Sequence, residues 1–311
     1  MITSVLGDIA PGSLGFCQSH EHIYIGSCPA QAGKPIDDTA KSAEELKSYR
    51  RGGGGAIVDA QPVGTGRDAE VLARLSRESG VHVIASTGFH KLSYYPEDHW
   101  VFSTGEDKLS ALFVDELVHG MYLDGDTGFP AVQGEYRAGQ IKTALDKAGL
   151  AGPYDKLFHA AVTAAKATGR PIMTHVEHGS NPVALADFLL AEGVPAAKTI
   201  FCHMDRAIPD IGVHLELCRR GIYLEYDTIC RPKYHDDNRE LEIIATMLDA
   251  GHGERLLLGL DTTRERLACY GGHPGLAYIL GEFVPLMLGS GVSDADVRRM
   301  FVENPARVFC G

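Results

Sequence analysis

The stretch from residue 171 to residue 227, PIMTHVEHGSNPVALADFLLAEGVPAAKTIFCHMDRAIPDIGVHLELCRRGIYLEYD, decides the fold. Short apolar and β-branched runs alternate in it with Ala- and Leu-rich runs of helical period. The pattern predicts strands over 171–175, 199–203 and 222–226, with helices over 182–192 and 209–220 between them. Such strand–helix–strand alternation is typical of a parallel sheet covered by helices.

The same alternation of predicted strands and helices continues on both sides of this stretch. Upstream, it predicts strands over 16–25, 56–60, 81–87 and 138–142, and helices over 39–51, 68–79, 107–120 and 154–168. Downstream, it predicts a helix over 237–250, a strand over 256–261, a helix over 275–288 and a short segment over 294–302. The glycine run 52–55 has no Lys-Ser/Thr after it, so we interpret it as a helix end and not as a phosphate-binding loop.

Eight strands in strict alternation with about eight helices indicate an α/β protein built as a (β/α)₈ (TIM) barrel. A doubly wound sheet usually contains about five or six strands. No linker rich in proline, serine or charge divides the chain, and no internal repeat is visible. We therefore expect one barrel domain over residues 1–311.

The composition of the chain indicates which binding partners and which cellular compartment to expect. The 29 Lys and Arg against 41 Asp and Glu give a net charge of −12, which disfavours a nucleic-acid partner. No apolar run approaches the ~18 residues of a membrane span, and the N-terminus lacks the pattern of a signal peptide. The seven cysteines are scattered and form no CxxC pair, which indicates a reducing, cytoplasmic environment.

Polar residues end several of the predicted strands. In barrels the chemistry lies at the carboxyl ends of the strands, and residues two apart on a strand face the same side. The residues at these ends are His20, His22, Lys142, His175, His203 and Asp261. A single histidine at a strand end is often structural, but four imidazoles and a carboxylate converging on one barrel face predict a metal site.

On these residues the sequence resembles the amidohydrolase superfamily and, within it, the phosphotriesterase-like family. The resemblance covers nearly the whole chain and rests on the motifs His20-Glu-His22, AGQIK at 138–142, THVE at 174–177, CHMDR at 202–206, GLD at 259–261 and ENPAR at 303–307. The pattern looks most like the branch that hydrolyses phosphorylated sugar lactones.

The resemblance implies a centre of two divalent metal ions at the carboxyl ends of the strands. Zn²⁺ is the first candidate, while Mn, Co and Fe suit the same ligands. The more buried ion would be held by His20, His22 and Asp261, and the more exposed ion by His175 and His203. Lys142 would bridge both ions as a carbamate derived from carbon dioxide. A hydroxide shared by the ions would attack the substrate, with Asp261 as proton shuttle.

Two other acidic residues offer alternatives at this centre. Some relatives use a glutamate as the bridge, and Glu135 is near Lys142 in sequence, although it precedes the predicted strand. A mononuclear, deaminase-like site would need a glutamate after the fifth strand, and Glu177 is a candidate. Lys142 remains the favoured bridge.

Cationic and phenolic residues in the predicted loops after strands three, seven and eight suggest the substrate class. Arginine matches phosphate or carboxylate with a planar fork, lysine supplies a point charge, and tyrosine donates a phenolic hydrogen bond. By the resemblance, Lys233, Arg264 and Tyr270 are the first candidates for binding a distal phosphate, followed by Arg231 and Tyr95. These loops favour a small anionic substrate over a neutral organophosphate triester.

Three functions remain open from the sequence. The first is a lactonase acting on a phosphorylated sugar lactone, which makes a small anionic metabolite the expected partner. The second is a related hydrolase of organophosphates, other esters or other lactones. The third is a non-catalytic, metal-containing protein that binds a ligand. A homodimer is expected from the resemblance alone.

Overall fold

Parallel strands around a central axis form the frame of the molecule. The computed structural model describes residues 1–30 and 33–311. The strands are β1 (Ile2–Ser4), β2 (Gly7–Ile9), β3 (Phe16–Glu21), β4 (Gly54–Asp59), β5 (His82–Ile84), β6 (Ser86–Gly88), β7 (Gln140–Leu145), β8 (Ile172–Val176), β9 (Thr199–Cys202), β10 (Tyr223–Tyr226) and β11 (Leu256–Leu258).

Helices connect these strands and lie outside them. The helices are α1 (Thr39–Arg51), α2 (Ala69–Ser79), α3 (Trp100–Ser103), α4 (Glu106–Val118), α5 (Pro153–Thr168), α6 (Pro182–Ala191), α7 (Met204–Ala207), α8 (Ile211–Arg219), α9 (Asp237–Asp249), α10 (Val284–Gly289), α11 (Asp294–Arg298) and α12 (Asn304–Val308). Among the described residues, no helix combines the length and the apolar character needed to cross a membrane.

Strands β3 to β11 close into the predicted (β/α)₈ barrel, whereas β1 and β2 form a separate antiparallel pair. One parallel ladder contains β3 to β5, and a second contains β6 to β11. β5 and β6 are two halves of one barrel strand interrupted at Ala85, since β5 pairs with β4 while β6 pairs with β7. The carbonyl of Ala85 accepts a hydrogen bond from Gly139 N at 2.9 Å, which carries the contact between the ladders across the break.

The barrel closes where β3 meets β11. Within the described part of the chain no backbone ladder joins these two strands. Asp261 N instead donates to the carbonyl of His20 at 3.0 Å. The Glu21 carboxylate accepts from Leu260 N at 2.8 Å and from Thr262 N at 3.3 Å. We call this junction the seam. Two side-chain hydroxyls also bridge it: Ser19 Oγ donates to the carbonyl of Leu258 at 2.9 Å, and Thr262 Oγ1 accepts from His22 N at 2.9 Å.

Two apolar layers surround the strands. The interior layer fills the lower barrel with fully buried residues that include Cys17, Ala56, Met173, Ile200 and Leu257. The larger layer lies between the strands and the helices. Such a filled interior leaves only the carboxyl ends of the strands for a binding cavity, as is usual for this fold.

Several element bounds differ from the sequence predictions for local reasons. The first strand ends at Glu21, and Ile25 forms only an isolated bridge to Ile36. The first helix has the predicted bounds and is capped by Asp38, whose side chain accepts from Lys41 N at 3.1 Å. Near the C-terminus, each of the last two helical stretches contains a π-helical segment, at Ile279–Phe283 and Arg299–Glu303.

Candidate metal centre

Three of the predicted ligands meet at the seam. His20 ends β3 on the same side as His22, which follows the strand, and Asp261 follows β11. Asp261 Oδ1 lies 3.8 Å from His20 Nε2 and 3.7 Å from His22 Nε2. All three side chains are buried, and their ligand atoms lie within 4.8 Å of one another. The three residues therefore could hold one metal ion.

The other three predicted ligands lie next to this group. Lys142 Nζ in β7 is 3.1 Å from His20 Nε2. His203, directly after β9, places its Nε2 atom 2.8 Å from Nδ1 of His175 in β8. A glycine at position 88 permits this arrangement, since a Cβ there would lie 1.9 Å from the Lys142 carbonyl oxygen. The structure thus brings all six side chains together.

Two carboxylates at the end of β10 orient the imidazoles from behind. Asp227 Oδ1 lies 2.7 Å from His203 Nδ1, and Asp227 Oδ2 lies 3.3 Å from His20 Nδ1. Glu225 Oε2 lies 3.0 Å from the same His20 nitrogen. Because carboxylates accept hydrogen bonds, each Nδ1 carries a proton, and Nε2 of the neutral ring is the nitrogen left to bind a metal ion. Sequence reasoning missed both residues, although they lie two apart on one strand, as His20 and His22 do.

The environment sets different protonation states for the imidazoles. Burial lowers the pKa of His22 to about 3 and that of His175 to about 4, which keeps both rings neutral. Burial and Lys142 also act to lower the pKa of His20, but Asp227 and Glu225 outweigh them and raise it to about 9. A metal ion at His20 therefore competes with a proton.

The donor set fits divalent metal ions. Buried imidazole nitrogens and a carboxylate oxygen face one another, and His22 Nδ1 has no hydrogen-bond partner among the described residues. Lys142 is 1% exposed and forms no ion pair within the same residues. A buried ammonium without an anion is unfavourable, and so is a cluster of acceptors without a cation. Imidazole and carboxylate ligands suit Zn²⁺, Mn²⁺, Co²⁺ and Fe²⁺.

Asp261 also contacts two arginines. Its Oδ2 atom lies 2.9 Å from Arg206 Nη2 and 2.5 Å from Arg231 Nη1. Burial alone would raise the pKa of Asp261, but Arg206, His203 and Arg231 outweigh burial and hold the pKa well below its ordinary value. One oxygen of Asp261 thus faces the predicted ligands, while the other faces positive charge. Arg206 lies in the CHMDR motif, but sequence reasoning did not assign it to the site.

A cavity of about 280 Å³ opens directly above the six side chains. Besides Lys142, four cationic residues line it, namely Lys34, Lys91, Arg206 and Arg231. The Tyr234 ring lies beneath two of these guanidinium groups, 5.0 Å from that of Arg206 and 5.5 Å from that of Arg231. A small ligand in this cavity would contact the predicted ligands and positive charge at once.

All of the first three candidates for substrate binding lie away from this cavity. Of the five candidates, only Arg231 is among the described residues that line it. Lys233 lines a neighbouring cavity instead. Arg264 donates to the carbonyl of Pro35 at 2.8 Å and lies 3.6 Å from a carboxylate oxygen of Asp37. The predicted contact of these two cations with a substrate stays a prediction.

The two tyrosine candidates are also engaged elsewhere. The Tyr270 hydroxyl accepts from Asp38 N at 3.0 Å and shares a hydrogen bond of 3.0 Å with Ser42. Tyr95 is buried, and its hydroxyl accepts from His90 N at 2.9 Å. Both side chains brace loops around the cavity, and their contact with a substrate likewise stays a prediction.

The two alternative acids lie in different places. Glu135 is exposed and borders a surface depression together with Ser4 and Arg77, at the amino ends of the strands. Glu177 lies on the wall of the main cavity, where it pairs with Lys91 and accepts from His175 Nε2 at 3.3 Å. Glu177 therefore orients His175 in the same way that Asp227 orients His203.

Comparisons with known proteins find similar sequences and similar folds over nearly the whole chain. A model of the family described as the phosphotriesterase family matches residues 1–309. An N-acetyltaurine hydrolase of Salmo salar is 30% identical, over 98% of this chain and 97% of the relative. The crystal structure of the lactonase Lmo2620 from Listeria monocytogenes aligns with a TM-score of 0.89 at 30% identity, covering 99% of this chain and 98% of the other. The phosphotriesterase homology protein of Escherichia coli, solved with phosphate in its active site, aligns at 0.85 and 28% identity, covering 96% and 99%.

Proposed function

Because the chain belongs to the phosphotriesterase family of hydrolases, we propose that it cleaves the ester bond of a small anionic lactone. A phosphorylated sugar lactone is the first candidate. One observation carries the proposal: the candidate metal centre and four cationic side chains share one cavity of about 280 Å³. The lactonase and the phosphate-bound relative among the similar structures support a carbonyl substrate with an anionic group.

In this proposal two divalent ions, with Zn²⁺ as the first candidate, occupy the centre. His20, His22 and Asp261 would hold one ion, and His175 and His203 the other. Addition of the Lys142 amine to carbon dioxide would form an N–C bond and release a proton, and the resulting carbamate could serve as an oxygen ligand for the ions. The buried Lys142 without a carboxylate partner supports this step, because the carbamate replaces an unpaired cation with an anionic oxygen ligand. When bound, the ions lower the pKa of a water molecule and polarise the carbonyl.

Asp261 is the residue that moves the proton. Its Oδ1 atom faces the histidines, and its Oδ2 atom faces Arg206 and Arg231 at the floor of the cavity. We assign it to take a proton from the attacking water and deliver it to the ring oxygen of the lactone, which leaves as a hydroxyl group. The C–O bond of the ring breaks, and the product is a hydroxy acid.

Arg231, Arg206 and Lys91 supply the positive charge for the substrate anion. Arg231 and Arg206 are arginines, whose planar forks match phosphate and carboxylate oxygens. Lys91 lies on the opposite wall, where it pairs with Glu177. This charge at the mouth of an acidic protein favours small anions over neutral triesters.

A second candidate is an amide whose amine part carries a sulfonate. The N-acetyltaurine hydrolases resemble this chain over 98% of its length at 28–30% identity, so the comparison covers the whole barrel. A sulfonate and a phosphate offer similar oxygen acceptors to the same arginines. The two candidates share the polarised carbonyl and differ in the leaving atom, nitrogen in place of oxygen.

One panel of substrates tests both candidates. It contains aldonolactones with and without phosphate, N-acetyltaurine, and a neutral organophosphate triester. Lactone opening releases a proton and is followed with a pH indicator. Cleavage of N-acetyltaurine near neutral pH yields acetate and a zwitterionic amine with no net proton, so it is followed with an amine-reactive dye. The proposal fails if the zinc-loaded protein prefers the neutral triester, or if phosphate on the lactone leaves kcat/KM unchanged.

A further inference from the structure

A second cluster of acceptor groups lies behind the cavity wall, where the loop after β10 leads into α9. It consists of Asp205 in α7, His235 in the loop and Glu240 in the first turn of α9, and we call it the rear cluster. Their ligand atoms all lie within 4.8 Å of one another. None of these three residues belongs to the centre described above.

Glu240 is the most informative member of the rear cluster. Its side chain is 0% exposed, and neither carboxylate oxygen accepts a hydrogen bond from any described residue. His235 Nε2 lies 3.4 Å from Glu240 Oε2, without a hydrogen bond between them. A buried carboxylate with no donor is unfavourable unless a cation or a proton satisfies it.

His235 presents another acceptor to Glu240. Its Nδ1 atom lies 3.1 Å from the carbonyl oxygen of Asp236. A carbonyl oxygen only accepts, so Nδ1 carries the proton of the neutral ring and Nε2 presents a lone pair. Asp205 adds a second carboxylate, whose oxygens accept from Thr228 N at 2.7 Å and Arg206 N at 2.9 Å. Three acceptors thus face one another.

Nearby basic side chains do not neutralise the rear cluster. Among residues 1–30 and 33–311, no lysine or arginine forms an ion pair with Asp205 or Glu240. The guanidinium of Arg206 is directed to Asp261 at 2.9 Å and to Asp227 at 3.7 Å. A cation that enters from outside would therefore be the first to form an ion pair with these two carboxyl groups.

We propose that Asp205, His235 and Glu240 bind an additional divalent cation of the Zn²⁺ or Mn²⁺ class. Two carboxylates and one imidazole are a ligand set that these ions accept. A cavity of about 530 Å³, lined by Asp205 and His235, lies next to the cluster and provides access. The ion would fasten the loop of residues 227–235 to α9. Because this loop carries Arg231 and Tyr234, the ion would fix one wall of the main cavity.

Metal content tests the proposal without reference to catalysis. Wild-type protein is loaded with Zn²⁺ or Mn²⁺, freed of excess metal and counted by mass spectrometry, beside Glu240→Gln, His235→Asn and the exposed control Glu242→Gln. We expect Glu240→Gln and His235→Asn each to hold one ion fewer per chain than wild type, and Glu242→Gln to hold the same number. The difference of one does not depend on how many ions the main centre holds.

Proteolysis supplies an independent measurement of the loop. Trypsin is expected to cut after Lys233, whereas the bond after Arg231 precedes a proline and resists cleavage. If the loop must be released before trypsin can cut, metal at about 100 times its Kd should slow cleavage of the wild type about 100-fold. In His235→Asn, whose side chain is partly exposed and whose loss is compatible with folding, metal should slow it less. The proposal is overturned if wild type, Glu240→Gln and His235→Asn hold equal numbers of ions, which is the result expected if a shared proton satisfies the rear cluster. It is also overturned if metal slows the cleavage of all three proteins equally.

Discussion

Replacing Asp227 with asparagine tests whether one carboxylate orients ligands of both metal ions. Asp227 accepts from three donors: His203 Nδ1 at 2.7 Å, His203 N at 3.2 Å and His20 Nδ1 at 3.3 Å. An amide of the same shape has one acceptor oxygen, and its NH₂ group would face at least one of these donors. Loss of such an orienting partner typically lowers metal affinity about 10- to 100-fold, which is about 1.4 to 2.7 kcal/mol.

Glu225→Gln is the matched control for this substitution. Glu225 is equally buried and accepts from His20 Nδ1 at 3.0 Å, with no contact to His203. Both variants place a buried amide beside the centre, so any general loss of stability is common to them. Glu225→Gln should weaken only the ion held by His20, whereas Asp227→Asn should weaken both ions.

Competition with a chelator, followed by counting the ions left per chain, measures both affinities. Circular dichroism confirms that each variant is folded. Asp227→Asn should release both ions at chelator concentrations about 10- to 100-fold lower than wild type. The reasoning is refuted if folded Asp227→Asn retains both ions within about threefold of the wild-type affinity, or if it matches Glu225→Gln in losing one ion only.

Three further predictions follow from the site and from one buried histidine outside it. Lys142→Ala should lose bound metal and at least about 100-fold in kcat, with partial recovery on adding acetate; full activity without acetate would contradict the bridging carbamate. Arg231→Met should lower kcat/KM for the phosphorylated lactone about 10- to 150-fold and much less for the unphosphorylated one, because a hydrogen bond to a charged group contributes about 1.5 to 3 kcal/mol. Lys233→Met, outside the main cavity, should change kcat/KM for the phosphorylated lactone little. A larger loss in Lys233→Met than in Arg231→Met would instead assign the anion to Lys233. Burial lowers the pKa of His99 to about 4, so the folded state favours the neutral ring. The unfolded chain binds a proton more readily, so the free energy of unfolding decreases as the pH falls from 6.5 towards 4. The melting temperature of zinc-loaded His99→Gln should therefore fall less than that of wild type over this range, and parallel curves would show that His99 does not contribute.

The strand-end pattern was enough to predict the fold and the grouping of six side chains. Carboxyl ends of parallel strands meet at one rim, so His175 after one apolar run and His203 after another had to approach each other. The same reasoning applied to Tyr223–Tyr226 would have pointed to Glu225 and Asp227, since their alternation matches that of His20 and His22. Polar residues at the end of an apolar strand were the available signal.

Loop side chains could not be placed in this way. Lys233 and Tyr234 are neighbours in sequence, yet Tyr234 turns under the guanidinium of Arg206 while Lys233 does not line the main cavity. That outcome depends on the path of the loop, which no periodic pattern encodes. Arg206 reaches the site because His203 adopts a left-handed backbone with a φ of 62°, which starts α7 directly above the strand. A turn of this kind at a histidine has no sequence signal comparable to a glycine.

The seam between β3 and β11 links metal binding to local opening of the barrel. A single backbone hydrogen bond and the side chains of Ser19, Glu21 and Thr262 hold it in place of a backbone ladder, so we expect local opening of the barrel to begin there. His20 and His22 lie on the β3 side of the seam and Asp261 on the β11 side. An ion bound to all three would therefore link the first barrel strand to the last. Hydrogen exchange at the amides of Leu260 and Thr262 should then become slower as the centre fills.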